Sequence, residues 1–415
     1  MNNPIKKRIL VFAPKTFPND HSFLESVFVD TLPRWGTEVF FVMNGAHSWF
    51  RLKKEMWRTT TVFVRPGLNP KSRMHRLLNS VLIRINHVFI PLIILRVKPD
   101  IILVRTELLT TLIALTTSNL FKRRMRVCYH YNWPFYDDAY AALLTARDIP
   151  TLLKKVRQVM QQKVLTVIFR KADHIFTISA AMRRKLISEG RVEEDKTTIL
   201  PLGANCFDDL SSKRSDWRKR IRRELHLEHR FVAIYTGSLN KIREPEILIE
   251  IAYYAIRKIG KSFHLLIIGA DTEEEKRYLF DLAKKRGVSA HLTILARMKR
   301  DRILEFICAA DVGLSPLPLT PFFEVSSPTK VYEYMSVGCP FVSSKIPEVV
   351  GIIEKAQAGL LSDHAAISYA ESLKKLFDNR PLWESCQKEG FRFTSQIHNY
   401  VIVAKNLLKE LGVND

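Results

Sequence analysis

Short, almost uninterrupted apolar runs recur along this chain, each followed by a longer mixed or amphipathic stretch, and the whole pattern occurs twice. In the front half, strands are predicted over 8–13, 37–43, 61–66, 100–104, 126–131, 174–179 and 197–202, with helices over 70–97, 107–120, 146–170 and 180–189. From Asn205 to Arg230 the chain turns polar and charged, including Arg218-Lys219-Arg220-Ile221-Arg222-Arg223, and reads as a linker with one surface helix. The pattern then restarts. Strands are predicted over 231–237, 263–269, 291–296, 311–315, 339–344 and 358–361, and helices over 246–259, 272–286, 299–309, 328–337, 346–356 and 365–378. Strands that are β-branched and apolar on both faces belong to a parallel sheet covered on both sides. Two such arrays predict an α/β protein of two doubly wound domains facing a cleft, with ligands beyond the strand carboxyl ends. A length of 415 residues suits two domains of this kind. The expected boundaries are 1–205 and 206–390, with a terminal helix in 391–415 that can pack back on the first domain.

Charge is distributed unevenly. Residues 1–200 hold 33 lysines and arginines against 15 acids, whereas residues 201–415 hold 32 against 27. A field of that sign attracts a polyanion: nucleic acid, an anionic membrane or a phosphorylated substrate. Leu78 to Val97 is apolar, yet it contains Arg84, Asn86, His87 and Pro91, and a central arginine opposes a membrane span. A basic amphipathic helix, partly packed on its sheet and partly on anionic lipid, is the expectation. Upstream, Trp49, Phe50, Arg51, Lys53, Lys54, Trp57 and Arg58 mix aromatic and basic side chains as an interfacial anchor does. Packing alone also explains the apolar residues. Five scattered cysteines without a Cys-x-x-Cys pair suggest neither a disulfide framework nor a zinc site, and fit a reducing cytosol. The start of the chain runs from Lys6-Lys7-Arg8 straight into a strand, too short an apolar stretch for a signal peptide.

The densest chemical signal is Phe323-Glu324-Val325-Ser326-Ser327-Pro328-Thr329-Lys330-Val331-Tyr332-Glu333-Tyr334-Met335, closed by Gly338-Cys339-Pro340. Ser327 reads as an N-cap and Pro328 as the first helical residue. Gly338 stops the helix and Pro340 keeps it from resuming. The N–H groups at Thr329 and Lys330, the positive helix end and the Lys330 ammonium all suit a phosphate or diphosphate. Glu333, one turn on, is placed for a ribose or for pairing with Lys330 on the helix surface. An ordinary capped helix between two strands fits the same residues. Three further loops follow strands: Gly237-Ser238-Leu239-Asn240-Lys241-Ile242-Arg243, Gly269-Ala270-Asp271, and Ser315-Pro316-Leu317-Pro318 leading to Glu324. Arg243 is the better phosphate partner of the first loop, because its planar fork binds two oxygens at once.

On these residues the chain resembles the retaining glycosyltransferases of GT-B type, most closely the large family 4 (group 1). The resemblance runs nearly full length and rests on Ala172-Asp173-His174-Ile175-Phe176-Thr177-Ile178-Ser179, Ile199-Leu200-Pro201-Leu202-Gly203-Ala204-Asn205, Tyr235-Thr236-Gly237, Ala310-Asp311-Val312-Gly313-Leu314-Ser315-Pro316, and above all Pro328 to Pro340. It implies two Rossmann-like domains, the first for the acceptor and the second for a nucleotide sugar. Arg243 stands where family members place a lysine on the donor diphosphate. Ser238 replaces a companion arginine, leaving Lys330 or Lys241 to supply that charge. Glu333 matches the second of a glutamate pair and implies a ribose contact. The first glutamate's place is taken by Val325, with Glu324 one residue off. His130 matches a histidine that faces the donor sugar, although a histidine between Tyr129 and Tyr131 is as often a packing residue. The loop Lys15-Thr16-Phe17-Pro18-Asn19-Asp20 lacks the glycines the family often has there.

The expected catalytic set is therefore Arg243, Lys330 and His130. The donor-binding set is Gly237, Ser238, Lys241, Ser315, Glu324, Ser326, Ser327, Thr329 and Glu333. The implied reaction transfers a sugar from a nucleotide diphosphate sugar to an acceptor hydroxyl with retention, in surface polysaccharide or lipid-linked glycan assembly at the inner face of the membrane. No Asp-x-Asp signature follows a strand, so protein cations are expected in place of a metal, with the donor as substrate and no separate cofactor. A sugar-nucleotide epimerase on the same fold needs acid and base groups converging on the sugar, and no clear set is present. A specific nucleic-acid binder needs aromatic platforms or a groove-reading motif among the basic residues, and none is found. A non-catalytic scaffold of the same fold is the remaining alternative.

Overall fold

The computed structural model describes residues 7–19, 21–45, 51–67, 85–120, 125–134, 151–206 and 210–413. The chain forms two compact units, one of residues 1–201 with 403–415 and one of residues 202–402.

The first unit is built on eight strands: β1 (Lys7–Thr16), β2 (Thr37–Asn44), β3 (Lys53–Trp57), β4 (Thr60–Arg65), β5 (Ile101–Arg105), β6 (Arg126–Tyr131), β7 (His174–Thr177) and β8 (Thr197–Ile199). Their order across the sheet is β3-β4-β2-β1-β5-β6-β7-β8. All neighbours are parallel except β3 and β4. Ile9 to Ala13 are entirely buried, as a central strand covered on both faces requires. The sheet is flanked by α1 (Phe89–Val97), α2 (Leu108–Leu120), α3 (Thr151–Lys171) and α4 (Ala180–Ser188). Ser179 caps α4 by accepting from the Met182 N–H at 3.0 Å.

Two expectations change here. The aromatic and basic stretch before residue 60 is in part an antiparallel edge strand, and Trp57 is not a lipid anchor. Its ring packs inward, 5.5 Å from Phe41 and 6.0 Å from Phe17. The charges of Lys53, Lys54 and Glu55 along this edge discourage pairing with another chain. Residues 24–31, for which the sequence gives no assignment, form eight residues of wide π-helix with Leu24, Val27 and Phe28 buried. Trp49, Phe50 and residues 70–84 lie outside the described residues. In the described part of that helical segment, Ile90, Ile93, Ile94 and Val97 face the sheet while Ile85, Val88, Leu92 and Leu95 are exposed. No helix among the described residues is long and apolar enough to cross a membrane.

The second unit has six parallel strands: β9 (Phe231–Thr236), β10 (Phe263–Ala270), β11 (Leu292–Ala296), β12 (Val312–Ser315), β13 (Phe341–Ser344) and β14 (Gly359–Ser362). Their order is β11-β10-β9-β12-β13-β14. The helices relevant to the site are α5 (Leu210–Glu224), α6 (Ile247–Ile259), α7 (Glu273–Lys285), α8 (Arg300–Ala309), α9 (Pro321–Glu324) and α10 (Thr329–Ser336). Two doubly wound, Rossmann-like units are thus present.

The expected surface linker is instead part of this core. Ile221 of α5 is fully buried, and Arg218 and Arg222, one turn apart, both grip Asp311. Asp311 also accepts from the Val232 N–H at 2.7 Å, and Arg222 Nε donates to the Ala309 carbonyl at 2.9 Å. The basic run is therefore only half solvated. Its inward arginines close the amino ends of β9 and β12 through one carboxylate, the kind of buried network whose partial removal is costly.

Candidate active site

The carboxyl ends of β9, β10 and β12 converge with the start of α10. Tyr334 fixes that arrangement. Its hydroxyl donates to the Leu314 carbonyl at 3.1 Å and accepts from the Thr236 N–H at 3.2 Å, pinning the helix across β9 and β12. Gly313 makes room for it: a Cβ there would lie 2.3 Å from the Tyr334 ring. Gly237, just past β9, and Gly269, the last residue but one of β10, have φ of +145° and +139°, a region that favours glycine. A Cβ on Gly269 would come within 2.0 Å of the Gly237 carbonyl oxygen, so the two turns touch backbone to backbone.

Helix α10 begins one residue later than expected. Thr329 is its first residue, extended Pro328 stands at the cap, and no side chain caps the first turn. Ser327 is not the cap; its hydroxyl lies 3.4 Å from that of Tyr332. The proline's extended backbone turns Ser327 away from the helix end. The first turn is thereby left without an internal oxygen acceptor from a side chain, and it keeps its preference for an anion.

Lys330 lies beneath this turn. Its ammonium sits 3.7 Å from the centre of the Tyr235 ring, and a Cβ on Gly237 would be 3.1 Å from its Nζ. The residue is buried and Nζ has no hydrogen-bond partner among the described residues. Burial pushes its pKa well below the ordinary lysine value; the charge of Arg243 adds to that fall and Glu333 opposes it. Tyr235 shifts the other way, raised by burial and opposed by Arg243, while its hydroxyl donates to the Ser238 carbonyl at 2.9 Å. Arg243 itself closes a single 3-10 turn, Lys241–Arg243, with its guanidinium 5.6 Å from the Phe323 ring. Arg243, Lys330, Gly237 and Ser238 are thus gathered around Tyr235, and Lys241 is exposed at the rim.

The remaining predicted positions fall nearby or apart. Glu333 is held by Arg300, Nε to Oε1 at 3.1 Å, with both side chains largely buried. The surface pairing of Glu333 with Lys330 is therefore replaced by one with α8. Arg300 escapes a sequence reading, because nothing in Met298-Lys299-Arg300 says which cation turns inward. Ser315 is fully buried at the end of β12, and its hydroxyl has no partner among the described residues. Ser326 bonds back to the Phe323 carbonyl at 2.7 Å, Thr329 is half-buried, and Glu324 is exposed at the end of α9. His130 belongs to the first unit. It is fully buried at the end of β6, its Nδ1 accepts from Arg105 Nε at 3.3 Å, and Nε2 has no partner among the described residues. Burial, then the charges of Arg105 and His21, hold it well below the usual histidine value. With Nδ1 accepting, the proton of the neutral ring is on Nε2, so the ring offers a donor there. Among the described residues no group of three or more His, Cys, Asp or Glu side chains is placed to hold a metal ion.

Residues 218–393 match the family described as glycosyl transferases group 1, and residues 28–206 match glycosyltransferase family 4. A D-inositol 3-phosphate glycosyltransferase of Nocardia farcinica is 24% identical over 219 residues, 51% of this chain and 47% of that protein. The chain spans about half the length of the curated relatives it matches. Among solved structures, sucrose-phosphate synthase from Thermosynechococcus elongatus superposes with a TM-score of 0.72 at 13% identity, over 98% of both chains. Anabaena HepE in complex with UDP and glucose gives 0.65 at 14%, over 98% of this chain and 100% of its own. At such identities the structural likeness carries the fold alone.

Proposed function

Since the chain belongs to the group 1, family 4-like glycosyltransferases and has their two Rossmann-like units, we propose that it moves a sugar from a nucleoside diphosphate sugar to an acceptor hydroxyl with retention. One observation carries the donor assignment: the buried Lys330 Nζ, with no hydrogen-bond partner among the described residues, lies under an uncapped helix start, beside the Gly237 backbone and Arg243. That arrangement favours a multiply charged oxyanion. A diphosphate satisfies it. In the reaction the leaving diphosphate gains charge, and Lys330, Arg243 and the first turn of α10 are set to stabilise it without reorganising. Glu333, held by Arg300, is the carboxylate assigned to the ribose hydroxyls.

The acceptor belongs to lipid-linked or surface-polysaccharide assembly in this reading. The exposed residues Ile85, Val88, Leu92 and Leu95, spaced three and four apart, support it as a lipid-facing stripe on a basic unit. The test is a panel of UDP-, GDP- and ADP-sugars, read by thermal stabilisation and by nucleoside diphosphate release. One nucleotide class should stabilise the protein. Arg243→Ala should stay folded and lose turnover by about two to three orders of magnitude. Wild-type turnover in that variant would end the assignment.

A further inference from the structure

The first unit holds a buried cation that the donor site does not use. Arg65 ends β4, its side chain is fully buried, and its Nη2 donates to Glu107 Oε1 at 2.7 Å. Glu107 stands two residues beyond β5. In the order β4-β2-β1-β5 two strands intervene, so three inter-strand steps of about 4.8 Å separate the two ends. The two side chains therefore reach toward each other across the carboxyl ends of β2 and β1. There the strand order reverses, β1 pairing with β2 on one side and β5 on the other. Open α/β sheets bind ligands at that switch point.

Arg65 is not satisfied by Glu107. Its Nε and Nη1 have no hydrogen-bond partner among the described residues, and neither does Oδ1 of Asn44, its strand partner. The other oxygen of Glu107 is already taken by the Thr110 hydroxyl at 2.6 Å. Arg105, also buried, ends β5 beside His130. Two buried guanidiniums thus mark this rim, with one carboxylate against the first. Buried N–H donors left unpaired cost free energy that a second oxyanion recovers, and guanidinium–oxyanion bonds are among the strongest available.

We propose that Arg65 binds a phosphate-class oxyanion carried by the acceptor, with Glu107 as the internal anion that competes for it. The inference rests on the proposed function only in calling the ligand an acceptor; the binding itself is tested separately. The full chain carrying Lys330→Met, which silences the donor site, is titrated with inorganic phosphate at constant ionic strength and followed by thermal shift. Phosphate should still stabilise it. Adding Arg65→Met should weaken the apparent affinity roughly tenfold, whereas adding Glu107→Gln should tighten it several-fold by releasing the guanidinium. A purely structural ion pair would lower stability in both variants and leave the phosphate dependence alike. If Arg65→Met does not fold, Arg65→Lys and the opposite response of Glu107→Gln carry the same decision. Vesicles of phosphatidylcholine with and without phosphatidic acid distinguish the source: Arg65-dependent binding assigns a lipid-borne phosphate, and a response to inorganic phosphate alone assigns a soluble acceptor. No phosphate response in the Lys330→Met background, or equal responses in the Arg65 and Glu107 variants, overturns the inference and leaves the donor assignment standing.

Discussion

Lys330 is buried with no hydrogen-bond partner among the described residues, a cost to stability that a diphosphate relieves in the proposed reading. Its folded pKa lies below the ordinary lysine value of 10.5, so between those two limits the unfolded chain binds more protons and stability rises with pH. Below the folded value the cost is fully present. Lys330→Met should therefore raise the melting temperature of the ligand-free protein by a few degrees and flatten that alkaline rise, while donor turnover is lost. A lower melting temperature at neutral pH would contradict it. A bound diphosphate would favour the charged form, so calorimetry in buffers of different ionisation enthalpy should record proton uptake that grows as pH rises through the folded pKa and is absent from Lys330→Met. That Lys330 stands at a helix start was legible in the Pro-Thr-Lys run. Its burial was not, because that depends on Tyr235 from a strand about a hundred residues earlier.

The strand ends set how closely the turns at Gly237 and Gly269 approach one another. Gly269→Ala would drive a Cβ into the Gly237 carbonyl and would also sit at a φ that side chains avoid. It should cost about 1–3 kcal/mol of stability and weaken donor binding together, measured by urea unfolding and nucleotide titration. Loss of stability alone would show that the two turns are not coupled. The elements themselves could be read closely from apolar periodicity: 126–131 and 263–269 match β6 and β10 to within a residue. Edge strand β3 could not, since five residues with three charges carry no alternating face and Trp57 packs on Phe17 and Phe41 from elsewhere in the chain. Helix α5 misled for a related reason. Its arginines look solvated until Asp311, about ninety residues away, is folded against them.

Across the whole molecule, the excess of 33 basic over 15 acidic residues in the first 200 predicts binding to anionic vesicles that weakens as salt rises. Leu92→Gln should reduce it further without changing the charge-driven salt trend; equal binding to neutral vesicles would refute the electrostatic part. The path of the chain has a separate consequence. It enters the second unit at Leu202 and leaves at Ile402. Near those points the Ala204 N–H donates to the His398 carbonyl at 3.0 Å and the Tyr400 N–H to the Ala204 carbonyl at 3.2 Å, with Gly203 packed so closely that a Cβ would meet the same His398 oxygen. An insert whose two ends are already stitched side by side is a ready-made cassette. Excised as residues 202–402, it should fold by itself and retain nucleotide recognition, leaving a remainder that a short splice from Pro201 to Val403 makes continuous.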